Sequence, residues 1–179
     1  MKRLICLVGL VAGLCSTAMA LAQPAPAATA DRTAVINAAT EIMLKARFCS
    51  LVTLDGDGSP QVREVDPFPP EGGMVVWLAT NPGTRKVAQI KHDPRVALSY
   101  IDVDGGGYVT LLGRAELVES VTEKERFWKE GWSTFYKHKN KGGDYLLIRI
   151  TPTRLEVVSY AHGILNDPTT WAPVSIAFP

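Results

Sequence analysis

Residues 75–100 read VVWLATNPGTRKVAQIKHDPRVALSY, and the period of the apolar positions changes twice within them. The apolar run over 74–79 reads as a strand, Asn81-Pro82-Gly83 as a turn, and 84–91 as a short helix. His92-Asp93-Pro94 then breaks the helix, and 95–103 returns to a strand. Arg85 and Lys86 fall in the first helical turn, the end where the helix dipole favours anionic side chains and the backbone N–H groups lack partners. Cations there imply an external anion, and the expected one is a phosphate.

Working outward, residues 48–54 and 61–68 form a hairpin around Asp55-Gly56-Asp57-Gly58, closed off by Pro67, Pro69 and Pro70. Uneven alternation around Val65 predicts a bulge there. On the other side, Asp104-Gly105-Gly106-Gly107 turns the chain into a strand over 108–119, where Gly113 permits a bend or bulge. Thr122 and Glu125 have capping-box spacing before a helix over 123–137, in which Phe127, Trp128, Trp132 and Phe135 recur at helical intervals and Gly131 is a weak point. A last long strand covers 144–158, locally interrupted at Pro152. Upstream, Asp31 caps a helix with Val35, Ile36, Ala39, Ile42 and Met43 on one face and Glu41 and Lys45 towards water. Residues 159–179 show no firm period. Six strands joined mostly by hairpins imply a mainly β fold: a six-stranded antiparallel barrel with peripheral helices.

The chain has 179 residues, enough for one domain with a proper core. Lys2-Arg3, an apolar run over 4–14 and small residues to Ala22 match a signal peptide over residues 1–22, and an Ala/Pro linker follows over 23–30. The barrel domain is then expected over 31–159 and a C-terminal tail over 160–179. This predicts an exported, periplasmic or secreted protein, with no stable membrane insertion after cleavage; an uncleaved N-terminal anchor is the weaker alternative. Of the three cysteines, Cys6 and Cys15 leave with the leader, and Cys49 sits in an apolar run as an inert thiol. The formal charge of +1 gives no sign of a nucleic-acid binder.

The segments DGSPQVREVDPF, VVWLATNPGTRKVAQIKHDPRVALSY and YVTLLGRAELV, in this order, resemble the pyridoxamine 5'-phosphate oxidase-like family of FMN-binding split barrels, in particular its small general-stress-protein-type members. The resemblance spans roughly residues 33–159. It implies a homodimer with FMN in clefts at the subunit interface, used for oxidation or reduction of a small-molecule substrate. Position by position it implies Arg63, Thr84 and Lys86 at the flavin phosphate, Arg85 assisting, Thr80 at the end of its strand and Val65 beside the isoalloxazine edge. No catalytic side chain and no metal ligand are expected, since the redox chemistry belongs to the flavin. The tail lacks a clear match to the substrate-contacting tail of the true oxidases, and Glu64 and Asp66 flank Val65 where a substrate contact would be expected.

Taken alone, Arg63 reads better as an outward-facing barrel residue and Lys86 as a solvated helix lysine; the strand-turn-helix context and their combination favour the phosphate role. His92, His138 and His162 have no metal-ligand spacing. Trp128 and Trp132 suit a helix packing stripe better than a flavin platform, and the tail residues Tyr160, His162 and Trp171 suit ordinary packing. The alternatives to FMN are the deazaflavin F420, a haem-related ligand, or a binding module without catalysis or cofactor.

Overall fold

A computed structural model describes residues 31–179; the expected leader and linker lie outside the described residues. Helix α1 (Arg32–Ala46) starts at Asp31, whose carboxylate accepts from the Thr33 N–H, and buries Val35, Ala38, Ala39, Ile42 and Met43. Seven strands follow: β1 (Cys49–Leu54), β2 (Pro60–Val65), β3 (Val76–Thr80), β4 (Arg95–Asp102), β5 (Gly107–Val118), β6 (Leu146–Val158) and β7 (Val174–Ala177). Helix α2 (Arg85–His92) lies between β3 and β4, and helix α3 (Val121–Arg126) between β5 and β6.

All strand pairings are antiparallel, in the order β2-β1-β4-β5-β6-β3, with β7 added to β6. Hairpin neighbours are adjacent in sequence, whereas β3 pairs with the distant β6. The sheet therefore curls into a split barrel whose free edges are β2 and β3. The inner face carries Leu51, Leu98, Val109, Leu111, Ile148 and Ile150, all fully buried. Each contributes roughly 1.5–3 kcal/mol by removal from water. Helix α1 closes this core through Val35, Ala38 and Ile42.

Gly113 is at the irregularity the sequence suggested. The β5–β6 register shifts between Leu112 and Gly113, and Pro152 sits opposite Gly113. A Cβ on Gly113 would come within 2.5 Å of the Thr151 carbonyl oxygen, so no larger residue fits the crossing. The bulge expected at Val65 is absent: β1 and β2 pair in unbroken register from Cys49–Val65 to Leu54–Pro60. The uneven alternation comes instead from the faces of an edge strand, since Val62 is 65% exposed while Arg63 turns inward.

The long helix expected over 123–137 ends at Arg126. Its cap is Ser120, which accepts from the Glu123 N–H, so the capping-box spacing belongs to Ser120-x-x-Glu123 rather than to Thr122. Beyond Phe127 the chain forms only short 3-10 turns. Its aromatic residues fold over a second core of Phe68, Trp77, Phe127, Tyr145 and Leu147. Phe127 stacks on Trp77 with centroids 4.5 Å apart, and packing of this kind holds the segment without helical hydrogen bonds.

The tail also departs from expectation. Val174–Ala177 pairs with Arg154–Val157 of β6, Ile176 enters the main core, and the Arg32 guanidinium donates to the Ala177 carbonyl at 3.0 Å. Four residues are too few for a visible period.

Candidate functional site

Cross-strand register fixes the orientation of Arg63. It stands directly opposite Leu51, and residues so paired project to the same face of the sheet. Leu51 is fully buried inside, so Arg63 also faces inward, at the open edge of the barrel. This removes the reading of Arg63 as an outward barrel residue. An inward cation needs acceptors, and it finds Thr53 Oγ1 at 2.6 Å, Gln89 Oε1 at 2.9 Å and the Leu51 carbonyl at 3.4 Å. Thr53 in turn donates to Gln89 Oε1 at 2.6 Å. Thr53 and Gln89 are both nearly inaccessible, so β1, β2 and α2 are tied together by one polar knot.

Thr80 ends β3, and the turn Asn81-Pro82-Gly83 delivers α2 immediately beside it. Gly83 N–H donates to Asn81 Oδ1 at 2.9 Å, fixing the turn. Thr84 stands at the N-cap position, yet its hydroxyl makes no capping bond; it donates back to the Asn81 carbonyl at 2.9 Å and lies 3.2 Å from Thr80 Oγ1. Lys86 reaches over and donates to Thr80 Oγ1 at 3.0 Å. The start of α2 thus keeps its N–H groups free of side-chain caps and sets two hydroxyls and an ammonium next to them.

Among the described residues, Arg63, Arg85 and Lys86 form no ion pair. Burial, and then the charge of Arg85, hold the Arg63 guanidinium below its ordinary value. Burial, and then Arg63, do the same for the Lys86 ammonium. Arg63 is thus repelled by Arg85, and Lys86 by Arg63, with no ion pair at any of the three, an arrangement unfavourable alone and favourable beside an anion.

Thr80, Thr84 and Lys86 line one hollow of about 320 Å³, with Val65 and Ala79 from the sheet and Trp132 from the segment after α3. Arg63 stands behind its wall, turned to Thr53 and Gln89. Arg85 is exposed and faces a separate depression with Asp55 and His92. Of the six residues expected at the site, Val65, Thr80, Thr84 and Lys86 therefore share one hollow, Arg63 adjoins it electrostatically, and Arg85 looks elsewhere. Of the two carboxylates beside Val65, Glu64 is exposed, and Asp66 is neutralised by Lys129 at 2.7 Å and held by Trp132 Nε1 at 3.3 Å. A neighbouring hollow of about 550 Å³ extends past Val65 and Trp132 to Arg47 and Phe48, so the cleft continues along the β2 edge.

Thr53 and Gln89 are the site residues that the sequence did not single out, and Trp132, read there as a packing residue in preference to a flavin platform, lines the hollow. Gln89 lies one helical turn beyond Lys86 and could have been found by asking which polar position of α2 faces the sheet. Thr53 carries no such local sign.

The Pyridoxamine 5'-phosphate oxidase family profile matches residues 36–159. No curated protein matches the sequence. Among solved structures, the chain is similar to a protein related to general stress protein 26, of the pyridoxinephosphate oxidase family, from Clostridium acetobutylicum. That match has a TM-score of 0.67 at 19% identity and covers 83% of this chain and 96% of the other. General Stress Protein 26 from Bacillus anthracis aligns with a TM-score of 0.61 at 23% identity, over 68% of this chain and 92% of that one. A heme binding protein from Mycobacterium smegmatis aligns with a TM-score of 0.54 at 21% identity, over 68% of this chain and 52% of its own.

Proposed function

Since the chain belongs to the pyridoxamine 5'-phosphate oxidase family of split barrels, we propose that it binds FMN and is a flavin-dependent oxidoreductase acting on a small molecule. The observation that carries this reading is the meeting of Lys86 with the inward-turned Arg63, two mutually repelling cations without an ion pair, at the uncapped start of α2. The donor set suits a phosphate monoester: an ammonium, two hydroxyls and helix N–H groups at the hollow, and a guanidinium behind them. Arg63 keeps Nε–H unengaged by the protein, which leaves a donor for the phosphate while Thr53 and Gln89 hold the rest of the fork.

Flavin, once bound, supplies hydride or electron transfer through its own ring system. The residues of this chain bind and orient it. Lys86, Thr80 and Thr84 would hold the phosphate, while Val65 and Trp132 would bound the ring where the cleft runs along β2.

The heme binding relative motivates a second reading, in which the cleft takes a haem-related ligand. No histidine, cysteine or methionine lines the hollow with Lys86, which leaves Tyr136 as its one side chain of the axial-ligand types. Burial, and then Asp144, push the Tyr136 phenol up to about 12, which opposes a phenolate ligand. The phosphate donors therefore favour a flavin over haem, and the deazaflavin F420 is distinguished by its spectrum.

The cleft is open on one side, and the exposed aromatic side chains Phe48 and Phe135 line it. Closure by a second subunit would bury them, so the proposed active form is a homodimer. The leader read in residues 1–22 supports export. The deciding experiment is titration of the purified mature chain with FMN, followed by flavin fluorescence and absorption. Saturable quenching with shifted flavin bands is expected, and no saturable change would sink the flavin reading.

A further inference from the structure

Trp132 lines both hollows of the cleft, yet the segment that carries it is a short 3-10 turn with little regular structure on either side. Something other than a helix has to hold the indole in place. In this turn the Trp132 N–H donates to the Lys129 carbonyl at 2.9 Å. An i→i+3 turn brings side chains three positions apart to the same side, and Lys129 and Trp132 both reach the stretch Asp66-Pro67-Phe68 just beyond β2.

Each of those three residues takes hold of the pair. One oxygen of the Asp66 carboxylate accepts from the Lys129 ammonium at 2.7 Å, and the other accepts from Trp132 Nε1–H at 3.3 Å. The Pro67 carbonyl accepts a second bond from Lys129 at 2.8 Å. The Phe68 ring meets the Trp132 ring edge to face, with centroids 5.3 Å apart. The ammonium also lies against both rings, 5.0 Å from the Phe68 centroid and 4.9 Å from that of Trp132.

The clamp is fixed to the sheet on one side only. Phe68 is 8% exposed, and its N–H donates to the Trp77 carbonyl of β3 at 2.9 Å. The other side is the irregular segment, and Asp66 is the residue through which its cation and its indole are both tied. Both carboxylate oxygens are engaged within the protein, so the acid beside Val65 serves the wall of the cleft instead of contacting a substrate. A tryptophan pinned at Nε1 and pressed between an ammonium and a phenyl ring has little freedom left to lose, which favours packing of a flat ligand against it.

We propose that Asp66 is a positioning residue for the flavin ring: it acts through Trp132, holding the indole where an isoalloxazine packs. The identity of the ring rests on the flavin reading; the clamp does not. Labour is thereby divided along the cleft, with Lys86 acting on the phosphate and Asp66, at one remove, on the ring.

The test reads the clamp and the ligand separately in the mature chain. In the apo protein the Trp132 Nε1–H resonance is identified by its loss in Trp132→Phe. Asp66→Ala should shift that resonance upfield and speed its exchange with solvent, while the Trp77 indole, bonded to Glu71 at 3.2 Å, stays unmoved. Riboflavin, which has the ring without the phosphate, and FMN are then titrated by flavin fluorescence. Asp66→Ala should weaken both by the same factor, about five- to fiftyfold, whereas Lys86→Met weakens FMN alone. Asp66→Asn keeps an oxygen acceptor for the indole and should recover much of the riboflavin affinity. Lys129→Met opens the clamp from its other side and should also weaken riboflavin; it decides the matter should Asp66→Ala fail to fold. An unmoved Trp132 resonance in Asp66→Ala, no recovery in Asp66→Asn, or wild-type riboflavin affinity in Lys129→Met would overturn the assignment. If the wild type binds neither flavin while Asp66→Ala frees the indole, the flavin reading fails and the clamp stands; if wild type and variants bind both flavins alike, the reverse holds.

Discussion

Replacing Lys86 by methionine separates a functional lysine from a structural one, because the two roles predict opposite stability effects. In the free protein the ammonium is half-buried, repelled by Arg63 and without a carboxylate partner. Its one bond goes to Thr80 Oγ1 at 3.0 Å, and Thr80 keeps the Thr84 hydroxyl at 3.2 Å when Lys86 is gone. No buried group is orphaned, and the methionine stem retains the lysine's apolar packing. The variant is therefore expected to unfold in urea with a midpoint unchanged or higher, a gain of about 0–1 kcal/mol, the size of exposed or half-exposed charge interactions. Affinity for FMN moves the other way. A charge-assisted hydrogen bond contributes about 1.5–3 kcal/mol, so the dissociation constant should rise on the order of 10- to 150-fold. Both quantities come from one preparation, by urea melts followed by tryptophan fluorescence and by FMN quenching titrations. A loss of stability above about 2 kcal/mol with intact flavin affinity would refute the reasoning and make Lys86 a packing residue.

Further outcomes follow from the same geometry. The Lys86 pKa is lowered in the fold, so the unfolded chain binds more protons as pH approaches the ordinary lysine value from below; apo stability should rise across that window, FMN affinity should fall, and Lys86→Met should flatten both profiles. Gln89→Leu removes the acceptor shared by Thr53 and Arg63 and should weaken FMN binding about three- to thirtyfold while costing about 1–3 kcal/mol of stability, read in the same two assays. Gly113→Ala forces a Cβ to within 2.5 Å of the Thr151 carbonyl and should destabilise by about 1–3 kcal/mol or more in urea melts, without a specific effect on the site. The Asp93 carboxyl, held at about 2 chiefly by hydrogen bonds from the Arg95 side chain and backbone, should return towards the usual carboxylate range in Arg95→Ala, as read by NMR titration; its stabilising contribution in the native protein is full above the ordinary carboxylate range and is lost progressively as pH falls from that range through about 2.

Local pattern carried the sheet because strands and turns announce themselves at short range. The hairpin over 48–65, the strand-turn-helix at 76–92 and the bulge at Gly113 all sit where period, proline and glycine put them. It failed where tertiary packing overrides local period. Phe127, Trp128, Trp132 and Phe135 recur at helical spacing, yet Trp77, Phe68 and Tyr145 hold their segment as 3-10 turns, and Trp132 is drawn to the cleft wall. β7 escaped notice because its partner β6 is what makes four residues a strand.

The sequence by itself placed two cations at a helix start that follows a strand and a tight turn, and with them the expectation of an anion. Residue types and spacing suffice for that, because the helix dipole and its free N–H groups are local properties. Only the tertiary structure decided which of the cations face a common hollow. Pairing Arg63 with Leu51 turns the guanidinium inward, and Thr53 and Gln89 hold it behind the hollow that Thr84 and Lys86 line, while the same helix start sends Arg85 to a different surface. Orientation of this kind depends on strand register and on how α2 packs against β1, and those are set by contacts between segments far apart in the chain.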